Sequence, residues 1–218
     1  MADEEFPCPS YKVVVLGDSS VGKTSLVHRF TTDEFDTNLA NTIGAAFITK
    51  LHASKTSSRN LKFEIWDTAG QERYKSLTPM YYRNSRVALV CYDLSNVDDS
   101  FVKSKYWIDQ LKLNNESVSE GQINIVLVGT KSDLANKPHT TVISEFTEAN
   151  PHVKHFITSA KTGEGIEAIF NSIIDNIPED FFNAHYESLR QQAENNQKSQ
   201  SISFLNNQFT GPNKSNCC

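Results

Sequence analysis

Eight residues near the start of the chain, Gly17-Asp18-Ser19-Ser20-Val21-Gly22-Lys23-Thr24, follow the spacing Gly-x4-Gly-Lys-Thr. Glycines at both ends let the backbone turn several N–H groups toward one point, and such a ring of donors receives phosphate oxygens. Lys23 adds a point charge for terminal phosphates, and Thr24 adds a hydroxyl for Mg²⁺. The apolar run Lys12–Gly17 precedes the loop and a helical pattern from Lys23 to Phe30 follows it, so a helix N-terminus faces the same anion. Ser19, Ser20, Val21, Gly22 and Ser25 join Lys23 and Thr24 as candidate contacts. The loop predicts a nucleoside triphosphate without choosing between adenine and guanine.

Three further stretches refine that chemistry. Asp67-Thr68-Ala69-Gly70-Gln71-Glu72 follows an alternating strand pattern. An aspartate at a strand end can hold Mg²⁺, and a glycine without a side chain can bring its N–H to a terminal phosphate. Alone, Gln71 reads as a solvated loop residue; directly after Asp-Thr-Ala-Gly it is placed to orient an attacking water. Thr130-Lys131-Ser132-Asp133 and Ser159-Ala160-Lys161 each end an apolar run. A carboxylate such as Asp133 accepts from both N1–H and N2–H₂ of guanine, a pattern adenine lacks, and a backbone N–H near Ala160 suits O6. Strand C-termini are where open α/β sheets bind ligands, so the two stretches together favour guanine.

The elements that must position these residues are legible in outline. Four near-continuous apolar runs, Lys12–Gly17, Val87–Leu94, Ile123–Thr130 and His155–Ala160, suit a parallel sheet covered on both faces. Between them lie helical patterns. One starts near Asp99-Ser100 as a cap; another spaces Ile166, Ile169, Phe170, Ile173, Ile174 and Ile177 three and four apart and stops at Pro178. Strands alternating with helices predict an α/β fold. Leu61, Phe63 and Ile65 alternate with Lys62 and Glu64; with Ala45–His52 before them they predict a hairpin that adds an antiparallel edge.

The bulk properties narrow the class. The 218 residues are 38% hydrophobic with a net charge of −5, enough for one domain with a core and a poor electrostatic match to nucleic acid. Residues 1–10 are expected as a disordered lead that is no secretory signal, 11–177 as the single domain, and 178–218 as a flexible tail after a short helix around Phe181–Gln192. No run approaches the roughly 18 apolar residues of a membrane span. Four cysteines without regular spacing fit a reducing compartment. Two of them, Cys217 and Cys218, stand side by side.

In this order the stretches resemble the Ras-like small GTPases, and within them the Rab family. The resemblance rests on Ile43–Phe47, Lys62–Trp66, Arg73–Thr78, Tyr81–Ser85 and Leu89–Ser95, of which Thr42–Phe47 and Leu77–Asn84 are most similar to the early-endosomal subgroup. It implies a P-loop G domain: a mostly parallel six-stranded sheet, one antiparallel edge strand and helices on both faces. It implies slow hydrolysis of GTP to GDP with Mg²⁺ as cofactor, held by Thr24, Thr42 and Asp67. Gln71, Lys23, Thr42 and Gly70 would carry the reaction, Phe35 would pack on guanine, and Lys131, Asp133, Ser159, Ala160 and Lys161 would read or support the base. Phe47, Trp66 and Tyr81, which by themselves read as ordinary core, match the triad that meets effectors.

The implied partners are an exchange factor, a GTPase-activating protein, a GDP-dissociation inhibitor, an escort protein with geranylgeranyl transferase, and endosomal tethers. Cys217 and Cys218 would carry two geranylgeranyl groups, anchoring a monomer to the cytoplasmic face of early endosomes, with a cytosolic pool. One departure stands out: Thr130 occupies the position where the family usually has asparagine, whose amide braces the phosphate loop and touches guanine N7. Lower affinity and faster exchange are expected from it. The competing readings are a Golgi or secretory Rab, a nucleotide-binding scaffold with negligible hydrolysis, and an ATP-dependent enzyme.

Overall fold

A computed structural model of the protein describes residues 8–71, 78–115, 123–135 and 141–209. The strands are β1 (Ser10–Gly17), β2 (Ala45–Ala53), β3 (Asn60–Thr68), β4 (Val87–Asp93), β5 (Asn124–Thr130) and β6 (Lys154–Ile157). The helices are α1 (Lys23–Thr32), α2 (Thr78–Tyr82), α3 (Val97–Asn115), α4 (Thr141–Ala149), α5 (Ile166–Asp175) and α6 (Glu179–Phe209). The strands form one sheet in the order β2-β3-β1-β4-β5-β6. Only β2–β3 is antiparallel. The predicted architecture is therefore the observed one.

Both faces of the central strands are buried, which is why their runs do not alternate. Val14 and Leu16 of β1 join Val90 and Tyr92 of β4 in one cluster, closed by Phe101, Ile108 and Leu111 of α3 and Ile143 of α4. On the other face Phe30 of α1 stacks on Phe170 of α5, and Phe63 of β3 meets Phe30 and Phe170 edge-on, at 5.8 and 5.2 Å between centroids. Sequential strands leave β1 in opposite directions, so the phosphate loop opens where the strand order reverses.

Three local expectations are corrected. Helix α3 begins at Val97, not near Asp99-Ser100. Asp98 and Asp99 fall in its first turn, where carboxylates complement the helix dipole. Ser100 instead serves the β4–α3 turn: its hydroxyl accepts the Asp93 N–H at 2.9 Å and lies 2.6 Å from the Asn96 carbonyl. Strand β6 ends at Ile157, so Thr158–Ala160 belong to the loop beyond it. The compact unit around the sheet spans Cys8–Asn176, and residues from Ile177 onward fall in a second unit. There α6 runs Glu179–Phe209, well past Gln192. No glycine or proline interrupts residues 179–210, and Asn, Gln and Ser each cost only tenths of a kcal/mol in a helix. Cys217, Cys218, most of the expected N-terminal lead and residues 73–77 of the Arg73–Thr78 match lie outside the described residues.

Candidate functional site

The phosphate loop is built by backbone conformations that its glycines permit. Gly17 has φ 146°, and a Cβ there would lie 2.5 Å from the Cys91 carbonyl oxygen on the neighbouring strand. Gly22 is left-handed at φ 96° and opens α1 with no side chain capping the first turn. The first N–H groups of that helix are therefore free for an anion. Lys23 is only 5% exposed; its Nζ donates to the carbonyls of Gly17 at 3.0 Å and Asp18 at 2.6 Å. Burial pushes its pKa down, with Cys91, Asp67 and Asp18 opposing. Around it opens a cavity of about 290 Å³. Ser19, Ser20, Gly22, Lys23, Thr24, Ser25, Thr42, Gly70 and Gln71 line it, together with Leu39–Asn41 and Lys131.

Thr24, Thr42 and Asp67 converge from three elements. The Thr24 hydroxyl lies 2.7 Å from that of Thr42 and donates to Asp67 Oδ2 at 2.7 Å, while Thr42 reaches the same oxygen at 3.4 Å. Asp67 is 1% exposed, and its Oδ1 is buried with no hydrogen-bond partner. Desolvation raises its pKa, against Thr24, Lys23 and Thr42. Two hydroxyls and a carboxylate with an orphaned oxygen form a hard donor set that fits a Mg²⁺-sized divalent cation. No cluster of three His, Cys, Asp or Glu occurs among the described residues, so this mixed set is the one to consider.

Gly70 presses on the phosphate loop. A Cβ there would lie 2.3 Å from the Asp18 carbonyl carbon and 2.4 Å from the Ser19 nitrogen. Thr42 and Gly70 thus bring the segments before β2 and after β3 to the same cavity, which Gln71 also lines.

A second cavity of about 110 Å³ lies beyond Gly22 and Ser25. Phe35, Thr130, Lys131, Asp133, Ala160 and Lys161 line it, with Leu134 and Thr158. The loops after β5 and β6 are tied together: Ser132 N–H bonds to the Thr158 carbonyl at 3.0 Å, and Ser159 Oγ donates to Asp133 Oδ1 at 2.6 Å. Lys131 is left-handed at φ 58°, and its ammonium meets Asp93 at 2.6 Å. Phe35, 38% exposed, stands at the rim.

Three expected residues play indirect parts. Val21 lines neither cavity; its side chain is buried and its carbonyl accepts the Thr130 hydroxyl. Ser159 reaches the base pocket only through Asp133, and Asp67 reaches the phosphate cavity through the two threonines. Asp93 and Leu39–Asn41 were not singled out from sequence. Asp93 carried the same signal as Asp67, an aspartate closing an apolar strand, whereas Leu39–Asn41 carried none.

The aromatic triad runs from the core to the surface: Trp66 and Tyr81 are half-buried against the core cluster, and Phe47 is exposed. Phe47 and Trp66 pair across β2 and β3 with centroids 5.3 Å apart, and Tyr81 lies 5.7 Å from Trp66. Phe47 is 54% exposed and nearby Ile43 81%.

A sequence model described as the Ras family matches residues 12–179. The chain is 43% identical over 190 residues to GTP-binding protein YPT52 of Saccharomyces cerevisiae, covering 75% of this chain and 80% of that protein. It is 47% identical over 170 residues to GTP-binding protein ypt5 of Schizosaccharomyces pombe, covering 77% of each. It is 42% identical over 180 residues to GTP-binding protein YPT53 of S. cerevisiae, covering 79% and 78%.

Proposed function

The chain belongs to the Ras family, whose members hydrolyse GTP to GDP, and from that premise we propose a Rab-type switch serving endocytic transport and early-endosome fusion. The observation that carries this reading is that Thr42 and Gly70, from two segments distant in sequence, line the same phosphate cavity. Each ends a segment that flanks the β2–β3 hairpin, so a terminal phosphate bound between them orders both segments and its loss releases them. Exposed Phe47 with half-buried Trp66 and Tyr81 forms a patch on that hairpin and beside it, where an effector would sense their order.

In the reaction Lys23 and the loop N–H groups hold the phosphates, and Gln71 orients water for in-line attack. Thr24, Thr42 and Asp67 would hold Mg²⁺, which supplies positive charge against the developing charge on the phosphate oxygens. Phe35 covers the guanine, Lys131 flanks it, and Asp133 accepts from it; Ser159, Ala160 and Lys161 shape the wall for O6. No arginine lines the phosphate cavity among the described residues, so intrinsic turnover is slow and an activating protein adds about 10³–10⁵. Family membership also implies an exchange factor, a GDP-dissociation inhibitor and effectors. Cys217 and Cys218, modified by an escort-dependent transferase, carry two geranylgeranyl groups that make anchoring to the cytoplasmic face of endosomes stable where one chain would not.

The test is imaging of the full chain tagged at its N-terminus in cells taking up an endocytic tracer, with Gln71→Leu beside it. Signal on tracer-positive compartments, enlarged by the variant, is expected. Signal confined to tracer-negative membranes would overturn the endosomal assignment and leave the GTPase intact.

A further inference from the structure

We propose that this protein reads guanine through its N1, N2 and O6 edge alone and leaves N7 unread. The inference rests on the guanine reading of the second cavity and deepens it. Purine N7 is an acceptor and needs a donor. The hydroxyls on the buried wall of the pocket are those of Thr130 and Thr158. A hydroxyl has a single proton to give. That of Thr130, a residue 3% exposed, is taken between the Val21 carbonyl and the Tyr92 carbonyl, the latter at 2.9 Å. Thr158 is fully buried and donates to the Gly129 carbonyl at 3.1 Å. What these oxygens offer N7 is lone pairs, which repel it.

The other side-chain donors of the lining are engaged, shared or exposed. The Lys131 ammonium is held by Asp93 at 2.6 Å, Ser25 also lines the phosphate cavity, and Lys161 is exposed at the rim. The opposite edge of the base is well served. Asp133 is oriented by Ser159 for N1–H and N2–H₂, and the loop at Ala160 lies beside O6. Thr130 therefore acts on the other half of the site. Its hydroxyl ties Val21, in the middle of the phosphate loop, to the end of β4, and it lies 3.6 Å from where a Cβ on Gly22 would be. An asparagine has two amide protons, enough to brace the loop and reach N7 together; threonine has one, and the brace takes it.

Competition against a fluorescent GDP on the full-length, Mg²⁺-loaded protein tests this with GTP, 7-deaza-GTP, in which C–H replaces N7, and ITP, which lacks N2, with ATP as the base control. The expected result is 7-deaza-GTP within about threefold of GTP, with ITP weaker by about tenfold or more because Asp133 loses a charge-assisted bond. Thr130→Asn should introduce a preference for GTP over 7-deaza-GTP of about tenfold. Thr130→Val, which removes the brace, should weaken all three nucleotides in parallel and leave their ratios unchanged. A wild-type preference for GTP over 7-deaza-GTP beyond about threefold overturns the proposal and leaves the guanine reading standing. ATP binding as tightly as GTP, with ITP undiminished, overturns the guanine reading itself.

Discussion

The two halves of the site are made of different physics. In the phosphate half, a lysine and an aspartate are almost fully buried with their pKa values pushed toward neutrality, Lys23 down and Asp67 up. In the base half, the pieces are a backbone hydrogen bond, a hydroxyl on a carboxylate and a partly exposed ion pair: Ser132 to Thr158, Ser159 to Asp133, Lys131 to Asp93. Buried charge destabilises a fold unless it is compensated. The phosphate half thus holds a buried ammonium paired only with carbonyls and a carboxylate oxygen without a partner, which a polyanion and a cation would compensate, whereas the pairs of the base half are made within the protein. One half derives binding energy from relieving its own desolvation, and the other discriminates by shape and donor pattern.

Substitutions in each half separate these roles. Lys23→Met should lower GTP affinity by about 10²-fold or more, since charge-assisted bonds are lost, yet stabilise the nucleotide-free protein by about 1 kcal/mol. That is a rise of about 2–4 °C in Tm, measured on nucleotide-stripped protein. A fall in Tm would show that Lys23 is compensated by its carbonyl partners and would erase the contrast. Gly70→Ala comes next. Its Cβ would meet the Asp18 carbonyl, so the segment after β3 cannot close, and single-turnover hydrolysis should drop by about 10²-fold while GDP affinity stays nearly unchanged. Ser159→Ala, in the base half, should cost about fivefold in GTP affinity through a loosened Asp133, with turnover at saturation unaltered.

The smallest effect is one of pH. Asp67 binds its proton more tightly folded than unfolded, so it favours the folded state at low pH, and this contribution is lost as pH rises from about 4 through its raised pKa. Asp18, Asp93 and Asp175 have lowered values and work in the opposite sense, losing their contribution as pH falls through and below about 4. Denaturant melts of the nucleotide-free protein between pH 4 and 7 should therefore show a component that falls with pH in wild type and is missing in Asp67→Asn. Identical slopes would show that Asp67 is ionised without cost.

Residues whose function depends on local backbone could be read directly. Gly17, Gly22, Lys23 and Thr24 belong to one turn, and Gly70 is singled out by its missing side chain, so spacing alone nominates them as candidates. The strands were legible because Val13–Leu16 and Val87–Val90 are buried on both faces. Less legible was anything set by a partner distant in sequence. The start of α3 depends on how the β4–α3 turn uses Ser100, and Asp93 enters the base half because Lys131 reaches back to it. The three aromatics were ambiguous because burial is decided by what packs over the β2–β3 edge, and the pattern of Phe47 and Trp66 is the same for core and surface.

The amino-acid sequence by itself determined the phosphate loop, the order of strands and helices, and the candidate chemistry at each strand end. These follow from φ preferences and from the periodicity of apolar residues, both of which act over a few residues. Tertiary structure alone decided that Thr24, Thr42 and Asp67 share an oxygen, that Phe47 stays exposed beside half-buried Trp66, and that the single proton of Thr130 is spent on the phosphate loop. Each of these joins residues 18 or more positions apart, where a hydrogen bond or a burial depends on packing that no local pattern encodes.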